Sequence, residues 1–294
     1  MGDRLTIEVR RNIENLWHLI SFDKKSIVGL AIILFLILLD FFAGYIAPYH
    51  PEELFELFVS PNNVYLMGTD QIGRDVFSRL LHGTRVSLIF GFGAGMVALI
   101  VGITVGSMAG YYGGFLDDLL SRTIEMFLMI PSLFLVILAV ALFGTNMYVS
   151  MICVGLTVWP SNAKIMRAQV LSIKNQEYVM SARLIGASDF RILVRHIIPN
   201  AIAPVIANAT LLVGSAILTE AALSFLGLGD LNNPSWGQML HYAQYYIGAW
   251  WMALFPGLFI TVTIVAFNFL GSGLNVALNP KLRLILGKRE ELFV

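Results

Sequence analysis

Charged residues are scarce in this sequence. Only 13% of the 294 residues are Asp, Glu, Lys or Arg, whereas an average soluble domain has roughly 25%. Hydrophobic residues make up 57% of the chain, and the mean hydropathy is +0.76. The net charge is zero, which argues against a general nucleic-acid-binding protein because such proteins carry a basic excess. The composition therefore favours a membrane protein.

Residues that perform chemistry are also sparse. The single cysteine, Cys153, excludes a disulfide framework or a cysteine-based metal site within the chain, and the five histidines lack metal-ligand spacing. A phosphate-binding loop requires G-x4-G-K-[ST], but the only Gly-Lys pair, Gly287-Lys288, is followed by Arg289. We therefore expect no metal, no cofactor and no ATP site of this kind in the chain.

Long apolar runs are abundant. A membrane-spanning helix needs about 20 mostly apolar residues. Six stretches meet this requirement: 27–47, 87–109, 124–144, 147–166, 200–220 and 250–275. Pro131 and Pro160 interrupt two of them, which a membrane helix tolerates when its neighbours satisfy the freed carbonyl group. The sequence thus predicts an all-α membrane protein with six transmembrane helices, the first retained because no clear signal-peptide cleavage site follows it.

The distribution of basic residues predicts the orientation. Sixteen of the nineteen Lys and Arg residues fall on one side of the six predicted spans, and cytoplasmic loops are the ones enriched in these residues. Both termini are therefore expected in the cytoplasm. Four segments are predicted at the two ends of the chain. They are a cytoplasmic N-terminal segment 1–26, a first transmembrane helix 27–47, an extracytoplasmic loop 48–83 and a cytoplasmic tail 276–294.

Small residues recur every four positions in the second predicted span. They are Ala94, Ala98, Gly102, Gly106 and Gly110. Because lipid provides no hydrophobic drive between helices, membrane helices associate by close backbone approach along such residues. We expect a packing seam here, not a substrate site.

The longest predicted cytoplasmic loop begins with a helix that ends at a glycine. Tyr178, Ala182 and Ile185 share one helical face, and Gly186 follows as a residue suited to a left-handed stop. This arrangement predicts one short helix that ends in a tight turn.

A second short helix is expected after that turn. Ser188 or Asp189 can cap its start, and Pro199 is expected to help terminate it. Three exposed bases give the loop positive character: Arg183, Arg191 and Arg195. A loop of this length with its own capped helices usually has a function.

This loop resembles the EAA loop of ABC importer permeases, EAA-x3-G-x9-I-x-L-P. Ser181-Ala182, Gly186 and Pro199 match the pattern. The departures from it are Met180 for the glutamate, Ser181 for an alanine, His196 for the isoleucine and Ile198 for the leucine. Glu177 lies three residues too early to be the motif acid.

Further segments are similar to the C-type permeases of dipeptide, oligopeptide and nickel ABC importers. They are 68–75 continuing to 88, 178–187 with 195–200, 224–229, 234–237 and 279–281. The resemblance extends over about residues 25–283, and several motifs in the same order are more specific than any one of them.

The resemblance implies a type I ABC importer permease fold in a bacterial or archaeal cytoplasmic membrane. A five-helix core would span 84–275, with the coupling loop at 167–199. The implied partners are a B-type permease, two ATP-binding subunits that hold ATP and Mg, and an extracytoplasmic substrate-binding protein. The implied cargo is di- or oligopeptides, with nickel or other metal chelates and oligosaccharides as alternatives.

The resemblance also indicates which loop residues contact the ATPase subunits. These are Glu177, Ser181, Ala182, Arg183, Gly186, Ala187, Ser188, Asp189, Arg195 and Pro199. Their expected role is to transmit closure of the ATPase as a rigid-body change of the permease.

Several polar residues in or near the predicted spans have two possible roles each. Glu220 either touches substrate or the binding protein near an outer gate, or pairs with Arg79 or Arg85. Asn208 and Asn268 either line a polar pathway or bond between helices. Asp40, inside the first span, is a functional candidate or simply near water.

Residues at the outer side are a second group with alternatives. Asp75 and Arg79 form ion pairs and helix caps, or contact the binding protein. Trp236 belongs to an aromatic cluster, 236–251, that is either an interfacial belt or a surface for a partner.

Two other classes of function fit less well. A transporter working alone would need ion-coupling acids inside its core spans, and none occurs within a span between Glu125 and Glu220. A membrane enzyme would need convergent catalytic or metal-binding side chains, and the sequence contains no such set. We therefore expect a transport subunit, not an enzyme.

Overall fold

The computed structural model describes residues 24–230 and 233–278. Within these ranges the regular structure is helical, apart from one isolated β-bridge between Thr69 and Asp75. The helices are α1 (Lys24–Phe41), α2 (Ala43–Ile46), α3 (Val76–Tyr112), α4 (Gly114–Met129), α5 (Ser132–Phe143), α6 (Met147–Ile173), α7 (Glu177–Leu184), α8 (Asp189–Ile192), α9 (Ile198–Ala201), α10 (Ala203–Phe225), α11 (Trp236–Ala243) and α12 (Trp251–Leu278). The predicted terminal segments, 1–26 and 276–294, lie largely outside the described residues.

Three described helices are long and apolar enough to cross a membrane: α3, α10 and α12. A fourth crossing results if α4 and α5 are taken together. The chain is thus a multi-pass, all-α membrane protein. Two of the six predicted spans do not meet the same criteria. Helix α1 is strongly apolar but carries the charged residues Lys24, Lys25 and Asp40, and the second half of α6 is polar around Lys164 and Arg167. The count of six stays a prediction.

The third predicted span, 124–144, is not one continuous helix. It is divided between α4 and α5, whose axes differ by 88°. Ile130 has extended backbone angles, φ −91° and ψ 127°, since a proline disfavours helical conformation in the residue before it, and Pro131 follows. The prediction of a continuous helix is wrong here, whereas Pro160 is accommodated inside α6 as expected.

The small-residue stripe on α3 is a packing seam, as predicted. All five residues are buried against neighbouring helices, chiefly α6. A Cβ atom added at Gly110 would lie 2.9 Å from the carbonyl oxygen of Arg167 and 2.9 Å from Cβ of Val170. At Gly106 it would overlap the carbonyl oxygen of Ala163. The two backbones are therefore as close as glycine permits.

Helix α3 begins earlier than the apolar run suggested. The Asp75 carboxylate accepts hydrogen bonds of 2.7 Å from both the backbone N–H and the hydroxyl of Ser78, which caps the helix. The segment between α2 and α3 consequently ends at Asp75, whereas the predicted extracytoplasmic loop extends to residue 83 and includes the first turns of α3.

The first helix packs on the side of the last one. Gly29 of α1 sits directly against the backbone of α12 at Ala266, and the Ser26 hydroxyl donates to the Phe269 carbonyl oxygen at 3.2 Å. Helix α10 packs between α3 and α12. The core is thus formed by α3, α6, α10 and α12, with α1 added at its edge.

Candidate functional site

The predicted turn after the first loop helix is present at Gly186. This residue has φ +81°, a backbone conformation that glycine adopts without steric cost. The Gly186 N–H donates to the Arg183 carbonyl at 3.0 Å, and the Ala187 N–H donates to the Ala182 carbonyl at 3.1 Å. These two bonds form a Schellman motif, which ends α7 and turns the chain.

Ser188, rather than Asp189, caps the second loop helix. Its side chain accepts from the Arg191 N–H at 3.4 Å. Asp189 is the first residue of α8, and its carboxylate is therefore free to bond elsewhere.

Pro199 does not terminate the loop helices, so that expectation was wrong. The chain continues from α8 through a π-helical turn, Leu193–Ile197, into α9 and then α10. Pro199 lies in the first turn of α9, where its missing N–H breaks no helical bond. The wider π turn before it is a usual way to absorb such an irregularity. We call the whole region Glu177–Ala201 the coupling segment.

Of the three residues that share one predicted face of α7, only Ala182 is buried. Val179 and Ala182 are buried, whereas Tyr178 is half exposed and Ile185 is 86% exposed. Further large apolar side chains of the coupling segment are also exposed: Met180, Leu184, Phe190 and Val194. The three bases Arg183, Arg191 and Arg195 are exposed with them, as expected. Contiguous exposed apolar surface of this kind is typical of a protein-binding site.

The coupling segment is fixed to the ends of α3 and α6. Its buried residues Val179, Ile192 and Ile197 pack in one apolar cluster with Tyr111 and Val170. This cluster is the inner support of the exposed apolar and basic face.

Polar contacts reinforce that support. The Tyr111 hydroxyl donates to Asp189 Oδ1 at 2.6 Å, and Lys174 Nζ donates to the Gly110 carbonyl at 2.9 Å. Between α4 and α6, Arg167 makes a two-pronged ion pair with Asp117, at 2.6 and 2.8 Å. Tyr111 is not among the residues predicted from the sequence, where its one distinguishing feature is its position directly after the small-residue stripe.

The predicted outer side contains a largely buried network of charges, of which Glu52 is the exposed member. Arg79 donates to Glu52 Oε1 at 2.6 Å and to Gln238 Oε1 at 3.0 Å. Arg74 donates to Asp70 Oδ2 at 2.7 Å and to Glu52 Oε2 at 3.1 Å. The network joins the segment before α3 to α11.

Three residues predicted to contact a binding protein are buried in this region. Asp75 and Trp236 are fully buried and Arg79 is 2% exposed. Trp236 Nε1 donates to the Leu80 carbonyl at 3.1 Å, and burial raises the pKa of the Asp75 carboxyl, opposed by the hydrogen bonds from Ser78. The burial of these three side chains favours their alternative interpretation as ion pairs, helix caps and core residues, and the contact with a binding protein stays a prediction.

Glu220 does not pair with Arg79 or Arg85. Its Oε1 accepts from the Ser224 hydroxyl at 2.7 Å, while Oε2 is buried without a partner among the described residues. The side chain lines a cavity of about 20 Å³, enough for one water-sized molecule.

The other polar candidates are divided between helix packing and exposure. Asn208 of α10 donates to Asn162 Oδ1 of α6 at 2.8 Å. This is a bond between helices, one of the two roles expected for Asn208. Asn268 is exposed on α12, and Asp40 is partly buried. Of the aromatic cluster, Trp236 and Trp251 are buried, whereas Trp250 is 55% exposed.

Comparison with known proteins identifies a family. The family model described as "Binding-protein-dependent transport system inner membrane component" matches residues 102–284. The dipeptide transport system permease protein DppC of Bacillus subtilis is 39% identical over 276 residues, covering 92% of this chain and 86% of the relative. The di/tripeptide transport system permease protein DppC of Pseudomonas aeruginosa is 38% identical over 281 residues, covering 92% and 93%.

A further relative and a solved structure agree. The glutathione transport system permease protein GsiD of Pectobacterium atrosepticum is 37% identical over 280 residues, with 94% and 93% coverage. An inward-facing structure of the MetNI methionine ABC transporter superposes with a TM-score of 0.51 at 18% identity, covering 68% of this chain and 96% of that one. That likeness shows the fold. The chain belongs to the binding-protein-dependent transport system inner membrane components, the family of ABC importer permeases.

Proposed function

We propose that this chain is the C-type permease of an ABC importer of di- and oligopeptides. It forms half of the translocation pathway, and a B-type permease forms the other half. The peptide cargo is supported by the transport systems after which the relatives are named, which carry dipeptides, di/tripeptides and glutathione. Nickel or other metal chelates and oligosaccharides are the alternative cargo.

The exposed face of the coupling segment carries the proposal. It combines Leu184, Ile185 and Phe190 with the exposed bases around them. The buried residues of the segment pack against the ends of α3 and α6 and hold this face in place. Two ATP-binding subunits, which hold ATP and Mg, dock there, and their closure moves the segment as a rigid body. The ten loop residues that the resemblance assigns to the ATPase contact would transmit this closure to the permease.

The proposed topology has six spans and both termini in the cytoplasm of a bacterial or archaeal cell. Helix α1 is the first span, since it packs along α12, and α6 is the fourth, since it follows α3 along the glycine seam. The extracytoplasmic substrate-binding protein meets the opposite side, where the segment before α3 and α11 lie.

Substitution at the coupling turn tests this function. Gly186→Arg should reduce peptide uptake by roughly tenfold or more, a typical range for lost coupling, because a side chain at φ +81° strains the turn and its charge disturbs docking. ATP hydrolysis should continue and the membrane complex should stay assembled. The assay is uptake of a labelled dipeptide into proteoliposomes that hold the complete transporter with its binding protein, alongside ATP hydrolysis.

Gly144→Arg is the matched control. Gly144 also has a positive φ, +93°, and open space around it, but lies in the turn between α5 and α6 on the proposed outer side. Its variant should transport normally. Normal uptake by Gly186→Arg, or peptide uptake by this chain alone in liposomes, would refute the proposed function. Uptake of a nickel chelate that dipeptides fail to inhibit would overturn the cargo.

A further inference from the structure

We propose that Tyr111 is a positioning residue that joins the coupling segment to α3, so that α3 carries ATPase-driven motion to α11 on the outer side. The inference rests on the proposed function. It adds the route by which movement of the coupling segment reaches the opposite face of the membrane.

The contact at the end of α3 is short, and its tyrosine is buried whereas Asp189 is exposed. Tyr111 is 8% exposed, and its hydroxyl lies 2.6 Å from Asp189 Oδ1. A hydrogen bond to a carboxylate is about twice as strong as one between neutral groups. Because Asp189 follows the Gly186 turn directly, the bond holds the part of the loop nearest to the exposed apolar face.

A second bond holds the same end of α3. Lys174, which lies before α7, donates to the Gly110 carbonyl at 2.9 Å. Lys174 caps the end of α6 just before the coupling segment begins, so the chain that leads into α7 is tied to the last turn of α3, as is Asp189 after α7. A displacement of the segment has to displace that turn, since well-packed elements shift as units.

Helix α3 is suited to carry such a displacement over a long distance. It is one uninterrupted helix of 37 residues, which corresponds to about 55 Å at 1.5 Å per residue. It contains no proline, and its glycines face tightly packed neighbours. By contrast, the path through α4 and α5 is broken by the 88° bend at Pro131.

The outer end of α3 is bonded to α11. Arg79 reaches Gln238 through a buried hydrogen bond of 3.0 Å, and Trp236 donates to the Leu80 carbonyl at 3.1 Å. A Cβ atom at Gly83 would lie 3.2 Å from the Trp236 ring. The coupling segment and α11 are therefore attached to opposite ends of the same helix.

The test uses the complete transporter and the variant Tyr111→Phe, which removes only the hydroxyl. Tyr112→Phe is the matched control, because Tyr112 is the next residue and is 52% exposed. The ratio of peptide uptake to ATP hydrolysis should fall on the order of two- to tenfold for Tyr111→Phe and stay unchanged for Tyr112→Phe. Asp189→Asn, which keeps an acceptor oxygen, should give a smaller loss.

A second readout reports on the outer side. In a Cys153→Ser background, a fluorophore on Tyr245→Cys, beside the end of α11 and 66% exposed, should respond to ATP binding. The response should shrink in Tyr111→Phe and persist in Tyr112→Phe. The inference is overturned if Tyr111→Phe leaves both ratio and response intact, or if it only releases the ATPase subunits. Failure of the unmodified chain to bind those subunits would instead overturn the proposed function.

Discussion

Arg79 illustrates what a buried charge requires in this protein. Its guanidinium group is 2% exposed, and it is satisfied by Glu52, which is about half exposed, and by Gln238. A buried charge without partners is strongly unfavourable, so both partners constrain where the outer segment and α11 can lie.

Removing Arg79 should therefore destabilise the outer side. Arg79→Ala leaves Gln238 without its donor and Glu52 without its closest cation, and should cost about 3 kcal/mol. Arg85→Ala is the control, because Arg85 lies on the same helix and is exposed; it should change stability little. Thermal unfolding of the purified complex measures the difference, and equal melting temperatures for the two variants would contradict the structural role of the network.

At the scale of elements, the contact between α3 and α6 depends on glycine. Neither Gly102 nor Gly106 leaves space for a side chain, because Asn162 and Ala163 of α6 occupy it. Lipid-facing helices gain stability chiefly from such close packing, which also aligns the cytoplasmic ends of both helices under the coupling segment.

A β-branched side chain in this seam should separate the two helices. Gly106→Val is expected to lower the melting temperature and the amount of assembled complex, at a cost of about 1–3 kcal/mol or more for overpacking. Gly257→Val provides the control, since Gly257 also lies inside a long helix but has no atom within 4 Å of an added Cβ. If both variants assemble and melt alike, the seam is not under packing constraint.

At the scale of the whole molecule, the coupling segment and α11 are attached to opposite ends of α3, which the proposed topology places on opposite sides of the membrane. The coupling segment is proposed to face the ATPase subunits, and the buried network with α11 is proposed to face the binding protein. Helix α3 connects them within one chain.

Labelling of single cysteines tests this orientation. In a Cys153→Ser background, Ser60→Cys should react with a membrane-impermeant maleimide in intact cells, because residue 60 is exposed in the outer segment. Ile185→Cys, at a position that is 86% exposed, should react only after permeabilisation. The reverse pattern would invert the topology that the basic residues predict.

Much of the fold and part of the site followed from local patterns. The membrane class, the glycine seam and the turn at Gly186 depend on neighbours within a few residues, which a sequence displays directly. The sequence did not show which face of α7 is buried, because burial in a short helix is decided by the residues that pack against it, here Tyr111 and Val170.

The sequence by itself determined that this is an all-α membrane protein with a capped, basic coupling segment, because composition, helical periodicity and glycine at a left-handed turn act locally. Only the tertiary structure decided that Tyr111 meets Asp189, 78 residues away, and that Arg79 meets Gln238, 159 residues away. These pairs depend on how long helices are placed beside each other. Local residue patterns do not show which residues far apart in the sequence come into contact. The connection from the coupling segment through α3 to α11 is therefore visible only in the folded chain.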